Sequence, residues 1–233
     1  MPHGWGILMA FPTLQTTSSG TASFGATSIG TSFPASTAAG DLLVLYVARQ
    51  TAVTMNAVTG WNKIITDPTN GGTHECWWRR FQVGDTAPTV SATTGTGWAY
   101  RMIRITDASA VTAPAASALV TASSANPDPP SLTSGFGAVD TLWLAAVSST
   151  SSSGPTAYPA SYSGGLDINT GVGPDFAFAS RQLNTATENP STFTYGSIVT
   201  WLASVVAVPP VPFIAHQPYV YPPTFAVNRS YFY

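Results

Sequence analysis

Apolar residues fall in short runs along this chain, and two of the runs match. Leu42-Leu43-Val44-Leu45-Tyr46-Val47, opened by Gly40-Asp41, is continuous hydrophobic sequence of strand length. Leu142-Trp143-Leu144-Ala145-Ala146-Val147, opened by Val139-Asp140-Thr141, repeats it in the second half. Apolar positions of both parities predict a strand buried on both faces. The segments after the two runs also correspond. His74 to Phe81 is an aromatic, arginine-bearing strand, and Phe176 to Leu183 is its counterpart. Gly84-Asp85-Thr86-Ala87-Pro88-Thr89 answers to Thr185-Ala186-Thr187-Glu188-Asn189-Pro190-Ser191, and Trp98 to Ile105 answers to Thr200 to Val208. In this alignment Asp41 and Asp140 occupy equivalent places at the starts of two related strands.

The remaining pattern fills in around this repeat. Residues 1–14 read as an extended arm or first strand. Thr16 to Ser32 is small and polar with Phe24, Ile29 and Phe33 as spaced anchors, which predicts one or two outer strands. The first repeat runs from about Phe33 to Asp107 and the second from about Ser131 to Val208. Ala108 to Asn126, nearly all Ala, Ser, Thr and Val, links them and is a candidate for a further strand. Thr66-Asp67-Pro68-Thr69-Asn70-Gly71-Gly72 is a turn signal. Asn126-Pro127-Asp128-Pro129-Pro130 is a rigid loop, because proline fixes φ and donates no hydrogen bond. Ser148 to Gly154 and Tyr158 to Gly165 read as exposed loops. Short strands punctuated by Gly and Pro, with no helical periodicity, predict an all-β fold. The expected architecture is a jelly-roll-like β-sandwich built from two similar halves over residues 1–208.

Residues 209–233 break the pattern. Pro209, Pro210, Pro212, Pro218, Pro222 and Pro223 prevent helix and interior strand pairing. Seven aromatics, Phe213, Tyr219, Tyr221, Phe225, Tyr231, Phe232 and Tyr233, are interleaved with them. This Pro/Tyr-rich segment predicts an extended, polyproline-like C-terminal arm. A terminus stays ordered only when something ties it down. The partner-binding residues expected on it are Tyr219, Tyr221, Phe225, Tyr231, Phe232 and Tyr233.

Composition sharpens the expectation about surface. Charged residues make up 8% of the 233, against about 25% in an ordinary soluble protein. Ser and Thr supply about a quarter of the chain, and Lys63 is the one lysine. Such a surface lacks charge repulsion to keep copies apart. It suits either an ordinary extracellular β-protein or a protein whose surface is occupied by partners, and the second reading is preferred. Mixed parity in Leu42–Val47 and Trp98–Ile105 fits contacts on the outer faces. The formal net charge of −2 argues against a nucleic-acid partner. Arg79, Arg80, Arg101 and Arg104 are a local exception, but Arg79 and Arg80 point to opposite faces of a strand and cannot form one patch, so salt bridges with Asp residues are the expected use. Cys76 is the single cysteine, so no internal disulfide forms. Met1 to Phe11 carry no Lys or Arg, and no signal peptide is expected. Ile198 to Val208 is too short for a bilayer, which takes about 20 residues, so no membrane partner is expected.

A resemblance then becomes visible. The order Pro34, Ala39-Gly40-Asp41-Leu42-Leu43-Val44, Gly60-Trp61-Asn62-Lys63-Ile64-Ile65, Trp77-Trp78-Arg79-Arg80-Phe81 and Trp98-Ala99-Tyr100 resembles a group of tailed-bacteriophage virion structural proteins of jelly-roll or β-sandwich type. It covers roughly residues 30–208 and excludes the arm. The resemblance implies a virion location, in head decoration or in the tail, and it brings no catalytic residues or cofactors. The implied function is a non-enzymatic capsid decoration (cement) protein that bridges neighbouring capsid subunits. Its partners would be capsid or tail proteins and further copies of itself, as a homo-oligomer. The alternative is a tail or fibre protein that binds host-surface glycans; a cellular carbohydrate-binding module or hydrolase ranks third.

Candidate chemistry is thin. His3, His74 and His216 are far apart in sequence. His74 and Cys76 share a strand face, but two ligands do not make a zinc site. No nucleophile elbow or phosphate-binding glycine loop occurs. Asp67, Asp85, Asp107, Asp128, Asp140, Asp167 and Asp175 could supply a carboxylate pair for glycoside hydrolysis, but their neighbours read as turns. Trp61, Tyr158 and Tyr162 are aromatics that could stack on sugar rings, with core or rim packing as the plainer reading.

Overall fold

The computed structural model describes residues 10–66, 73–151, 153–169, 171 and 174–212. The first nine residues, His3 among them, residues 67–72 of the expected turn, His216 and the seven aromatic residues of the arm lie outside the described residues. So do the conformation and contacts expected for residues 213–233. Among the described residues there are strands and loops and no helix.

Among the described residues thirteen strands succeed one another: β1 (Thr13–Gly30), β2 (Leu42–Arg49), β3 (Asn62–Ile65), β4 (Thr73–Arg80), β5 (Thr89–Thr106), β6 (Ala115–Ala116), β7 (Val120–Ser124), β8 (Leu132–Thr133), β9 (Val139–Ser149), β10 (Ser163–Asn169), β11 (Asp175–Thr185), β12 (Thr187–Glu188) and β13 (Val199–Val208). They form an all-β sandwich. The first sheet has the order β3-β4-β2-β5-β1. The second has the order β10-β11-β9-β13, with β6 and β7 both pairing the far side of β13. β8 and β12 make a separate two-stranded ribbon.

The two sheets are the two halves of the sequence, and they share one topology. β2 lies between β4 and β5, antiparallel to both, as β9 lies between β11 and β13. Register together with inward parity defines the equivalence, because Leu42, Val44 and Tyr46 face the inter-sheet core as Leu142, Leu144 and Ala146 do. Ala48 pairs with His74 and Ala99, and Ser148 pairs with Phe176 and Leu202. Leu42 therefore answers to Leu142, and Trp98 to Trp201. Both indoles donate to the adjacent edge strand, Trp98 Nε1 to Ala26 O at 2.8 Å and Trp201 Nε1 to Ser124 Oγ at 3.0 Å. The expected pairing of Asp41 with Asp140 is corrected by one residue: Asp41 answers to Thr141. The reason is the pleat, since a one-residue slip would turn the core side chains of one copy outward. Each half also begins earlier than the hydrophobic repeat suggests. The edge strands β1, β6 and β7 are small and polar, so they carry no repeating apolar signal.

Three packed layers of side chains result. Between the sheets lie Leu42, Val44, Tyr46, Ile103 and Ile105 against Leu142, Leu144, Phe176, Phe178, Val206 and Val208. On the outer face of the first sheet, Leu43, Leu45, Val47 and Trp98 pack under Ile29, Met55, Val58 and Val90. On the outer face of the second, Ala145, Val147 and Ala177 pack under Phe193 and Tyr195, and Trp143 and Val205 pack with Leu132. The two-sided burial of β2 and β9 is thus supplied by the chain's own loops and flanking strands. Contacts with other proteins are not needed to explain it.

Two expected loops are also redrawn. Ser148 and Ser149 end β9 and are buried, and Ser163 to Gly165 open β10. The arm boundary moves as well. Pro209 and Pro210 are buried, Ser109 N donates to Pro209 O at 2.9 Å, and Val211 N donates to Asp107 O at 3.2 Å. The sandwich holds the chain three residues beyond Val208.

One close backbone approach makes a stability prediction. The β1–β5 ladder bulges between Ala22 and Ala26, where Gly25 takes a φ of 96°. A Cβ on Gly95 would sit 2.3 Å from Gly25 O. Backbone cannot swing aside as a side chain can, so Gly95→Ala is expected to cost about 1–3 kcal/mol by forcing the strands apart. Urea denaturation measures it, and an unchanged midpoint would contradict the packing.

Candidate functional site

Among the described residues, an open, polar cleft is backed by the ring of Trp61. It lies at the outer side of the first sheet, where the β2–β3 loop meets the β4–β5 turn. Two turns shape it, and each relies on a glycine. Trp61 N donates to Val58 O at 3.0 Å around Gly60, whose φ is 77°. Asp85 N donates to Gln82 O at 3.0 Å around Gly84, whose φ is 92°. Positive φ at the third turn position is what glycine supplies at low cost.

Arg79, near the end of β4, joins the two turns. Its Nη2 is ion-paired with Asp85 Oδ1, and its Nη1 donates to Gly60 O at 3.4 Å. Asp85 is fixed a second time, because its Oδ2 accepts from Gln82 N at 2.9 Å. A Cβ on Gly60 would sit 2.5 Å from Arg79 Nη1 and push the guanidinium aside, and the positive φ of 77° favours glycine there in any case. Trp61 packs one side against the outer cluster of the first sheet and stays half-buried. Thr59, Thr86 and Thr89 are exposed around it, and Ser91 Oγ accepts from Asn56 Nδ2 at 2.9 Å. The cleft's volume is about 570 Å³, within the roughly 300–1,000 Å³ usual for small-molecule sites.

The other sugar-stacking candidates are not here. Tyr158 and Tyr162 cover the outer face of the second sheet. Tyr158 meets Phe193 edge-on, with ring centroids 5.9 Å apart, and burial pushes its hydroxyl up to about 12. Tyr162 donates to Glu188 Oε1 at 3.3 Å, and burial beside that carboxylate raises its pKa. Both act as packing residues.

The carboxylates divide. Asp85 is a turn residue as expected, whereas Asp140, Asp167 and Asp175 lie within strands. Asp167 and Asp175 share the β10–β11 hairpin, where Asp175 pairs with Asn169. Asp175 is fully buried, accepts from Tyr195 Oη at 2.8 Å, and leaves Oδ1 without a hydrogen-bond partner. Burial pushes it up to about 7, with Asp167 adding to the rise and the Tyr195 bond opposing it. An acid of this strength suits proton transfer, but here the carboxyl lies buried against the Tyr195 hydroxyl.

His74 is an interior strut. It projects from β4 across the sandwich and is fully buried. Its Nδ1 lies 3.2 Å from Ser148 Oγ on β9, and its Nε2 lies 2.9 Å from Ser204 Oγ on β13. Burial drives its pKa down to about 3, so the ring is neutral. Cys76 faces Tyr46 across the β2–β4 ladder, and burial raises both. No group of three metal-ligating side chains occurs among the described residues.

Sequence reasoning names Trp61 and misses its partners. Arg79 and Asp85 are legible only as an ion pair, since their convergence on Trp61 depends on the β3–β4 register. No family model, curated protein or solved structure matches the chain.

Proposed function

We propose that this protein is a non-enzymatic structural component of a tailed-phage particle, a capsid decoration protein that bridges neighbouring capsid subunits. The observation that carries the reading is where the charges go. Lys63 pairs with Glu75, Arg79 with Asp85, Arg104 with Asp41 and Arg181 with Glu188. Arg80 donates to the Gly40 and Ser109 carbonyls, Arg101 to Thr17 and the Asp167 carbonyl, and Arg49 is buried over Trp98. The described cations are thus all turned to internal use. The surface left is mostly hydroxyl and small apolar, with Asp107, Asp128 and Asp167 as scattered exposed carboxylates and Phe24, Val83, Val111 and Ile198 protruding singly. Such a surface gives little repulsion between close-packed copies.

The reading is tested by antibody-labelled cryo-electron microscopy of purified particles. Label over the head shell at high copy is expected. Label confined to the tail, or absent from particles, sinks it. A second reading, a tail or fibre protein binding host-surface glycans, is favoured by one feature, the Trp61 cleft.

A further inference from the structure

We infer that the Trp61 cleft is a binding site for a neutral saccharide, with Trp61 as the stacking platform and the Arg79–Asp85 pair as the hydroxyl reader. The inference deepens the glycan reading and is independent of where in a particle the protein sits. Three properties of the cleft carry it.

The first is the pairing of surfaces. A pyranose ring offers an apolar C–H face and an equatorial rim of hydroxyls. The half-exposed indole of Trp61 suits the face, and its inner side is already packed, so little ordering remains to be done on binding. The second is the state of the polar groups. Arg79 and Asp85 hold each other and are each fixed again by backbone, through Gly60 O and Gln82 N. Each keeps further hydrogen-bonding capacity: a guanidinium has five N–H donors, and each carboxylate oxygen accepts more than one bond. Adjacent donor and acceptor groups match vicinal hydroxyls, each of which both donates and accepts. The third is charge. The pair is neutral overall, and the cleft holds no second cation among its described lining residues. A carboxylated sugar would have to compete with Asp85 for Arg79, so a neutral one is selected.

The bland account is that Arg79 merely fastens two turns. That account explains the ion pair, but not why Trp61 is left open beside it under a rim of exposed threonines.

The test is titration of the full-length protein with neutral cello-, manno- and galacto-oligosaccharides, followed by ¹H–¹⁵N NMR and calorimetry, with a sialylated trisaccharide as the charged comparison. Saturable binding of at least one neutral sugar is expected. Shifts should concentrate at residues 57–61 and 84–91, and the sialylated sugar should bind more weakly. Trp61→Ala and Asp85→Asn should each weaken binding about tenfold or more, the equivalent of about 1.4 kcal/mol. Trp61→Phe keeps a ring and should retain most of the affinity. The exposed change Thr86→Ala serves if Trp61→Ala fails to fold, and it should weaken binding measurably. No saturable binding by any neutral sugar overturns the inference. Shifts mapping to another surface, or affinities unmoved by these substitutions, overturn it equally. Neither result bears on the particle labelling, so the two readings fail separately.

Discussion

Asp175→Asn is expected to lose roughly 3–4 kcal/mol of stability on acidification from pH 6.5 to pH 3.8, a window across which the wild-type contributions of His74 and Asp175 cancel. The two buried groups pull in opposite directions. His74 ionises at about 6.5 when unfolded and at about 3 when folded. Below pH 6.5 the unfolded chain therefore takes up a proton that the folded chain refuses, and stability falls by about 1.4 kcal/mol per pH unit. Asp175 ionises at 3.8 when unfolded and at about 7 when folded. Its stabilising contribution is complete below pH 3.8 and is lost as the pH rises through 7. Between those limits acidification favours the fold by the same slope. Asparagine at 175 still accepts from Tyr195 but has no proton to gain, so the His74 slope stands alone. His74→Gln should show the reverse, gaining stability on acidification, beneath a constant loss from the altered bonds to Ser148 and Ser204. Urea midpoints measured every half unit would decide it. Parallel pH profiles for the wild type and both variants would show that neither group is held as the geometry implies.

That pair of residues also marks where sequence stops being legible. The apolar runs at Leu42–Val47 and Leu142–Val147 announce two central strands, because burial on both faces leaves a continuous hydrophobic signal. Their two-sidedness is real, but its cause is not the partners that composition suggests. The outer layer that covers them, with Met55, Val58, Phe193 and Tyr195, comes from irregular segments with no periodicity to read. His74 looks like half of a metal site beside Cys76. Only the facing sheet, bringing Ser148 and Ser204 to its two nitrogens, makes it a strut. Asp175 looks like a turn residue, because the Gly-Val-Gly-Pro before it is a turn signal. The pairing of β11 with β9 carries it indoors, opposite Ser149. In each case local chemistry is visible, and the long-range pairing that assigns its role is not. The cleft obeys the same rule: Trp61 stands out by type, and its neighbours by nothing until β3 meets β4.

A chain ending after Pro212 is expected to fold like the full-length protein and to lose incorporation into particles, whereas one ending after Val208 is expected to be destabilised as well. The difference lies in the residues that the sandwich grips. Residues 209–211 contribute the bonds from Ser109 N to Pro209 O and from Val211 N to Asp107 O, and Pro210 bridges to Ala108. Pro209 and Pro210 are also buried, so removing them uncovers apolar surface beside Phe136 and Val139. Together these losses should cost about 2–4 kcal/mol, at roughly 1 kcal/mol per bond plus the exposed area. The segment after Pro212 has a different part to play in the proposed particle. It carries Tyr219, Tyr221, Phe225, Tyr231, Phe232 and Tyr233 on a proline-rich backbone. Proline limits the freedom such a segment has to lose on docking, and tyrosines bring large contact area with few rotatable bonds. Those six side chains are therefore proposed to fill pockets on a neighbouring virion protein. Thermal melting and a particle-binding assay on the two truncations separate gripping from docking. If the chain ending after Pro212 bound particles as tightly as the full-length protein, residues 213–233 would have no docking role, and attachment would have to come from the sandwich surface itself.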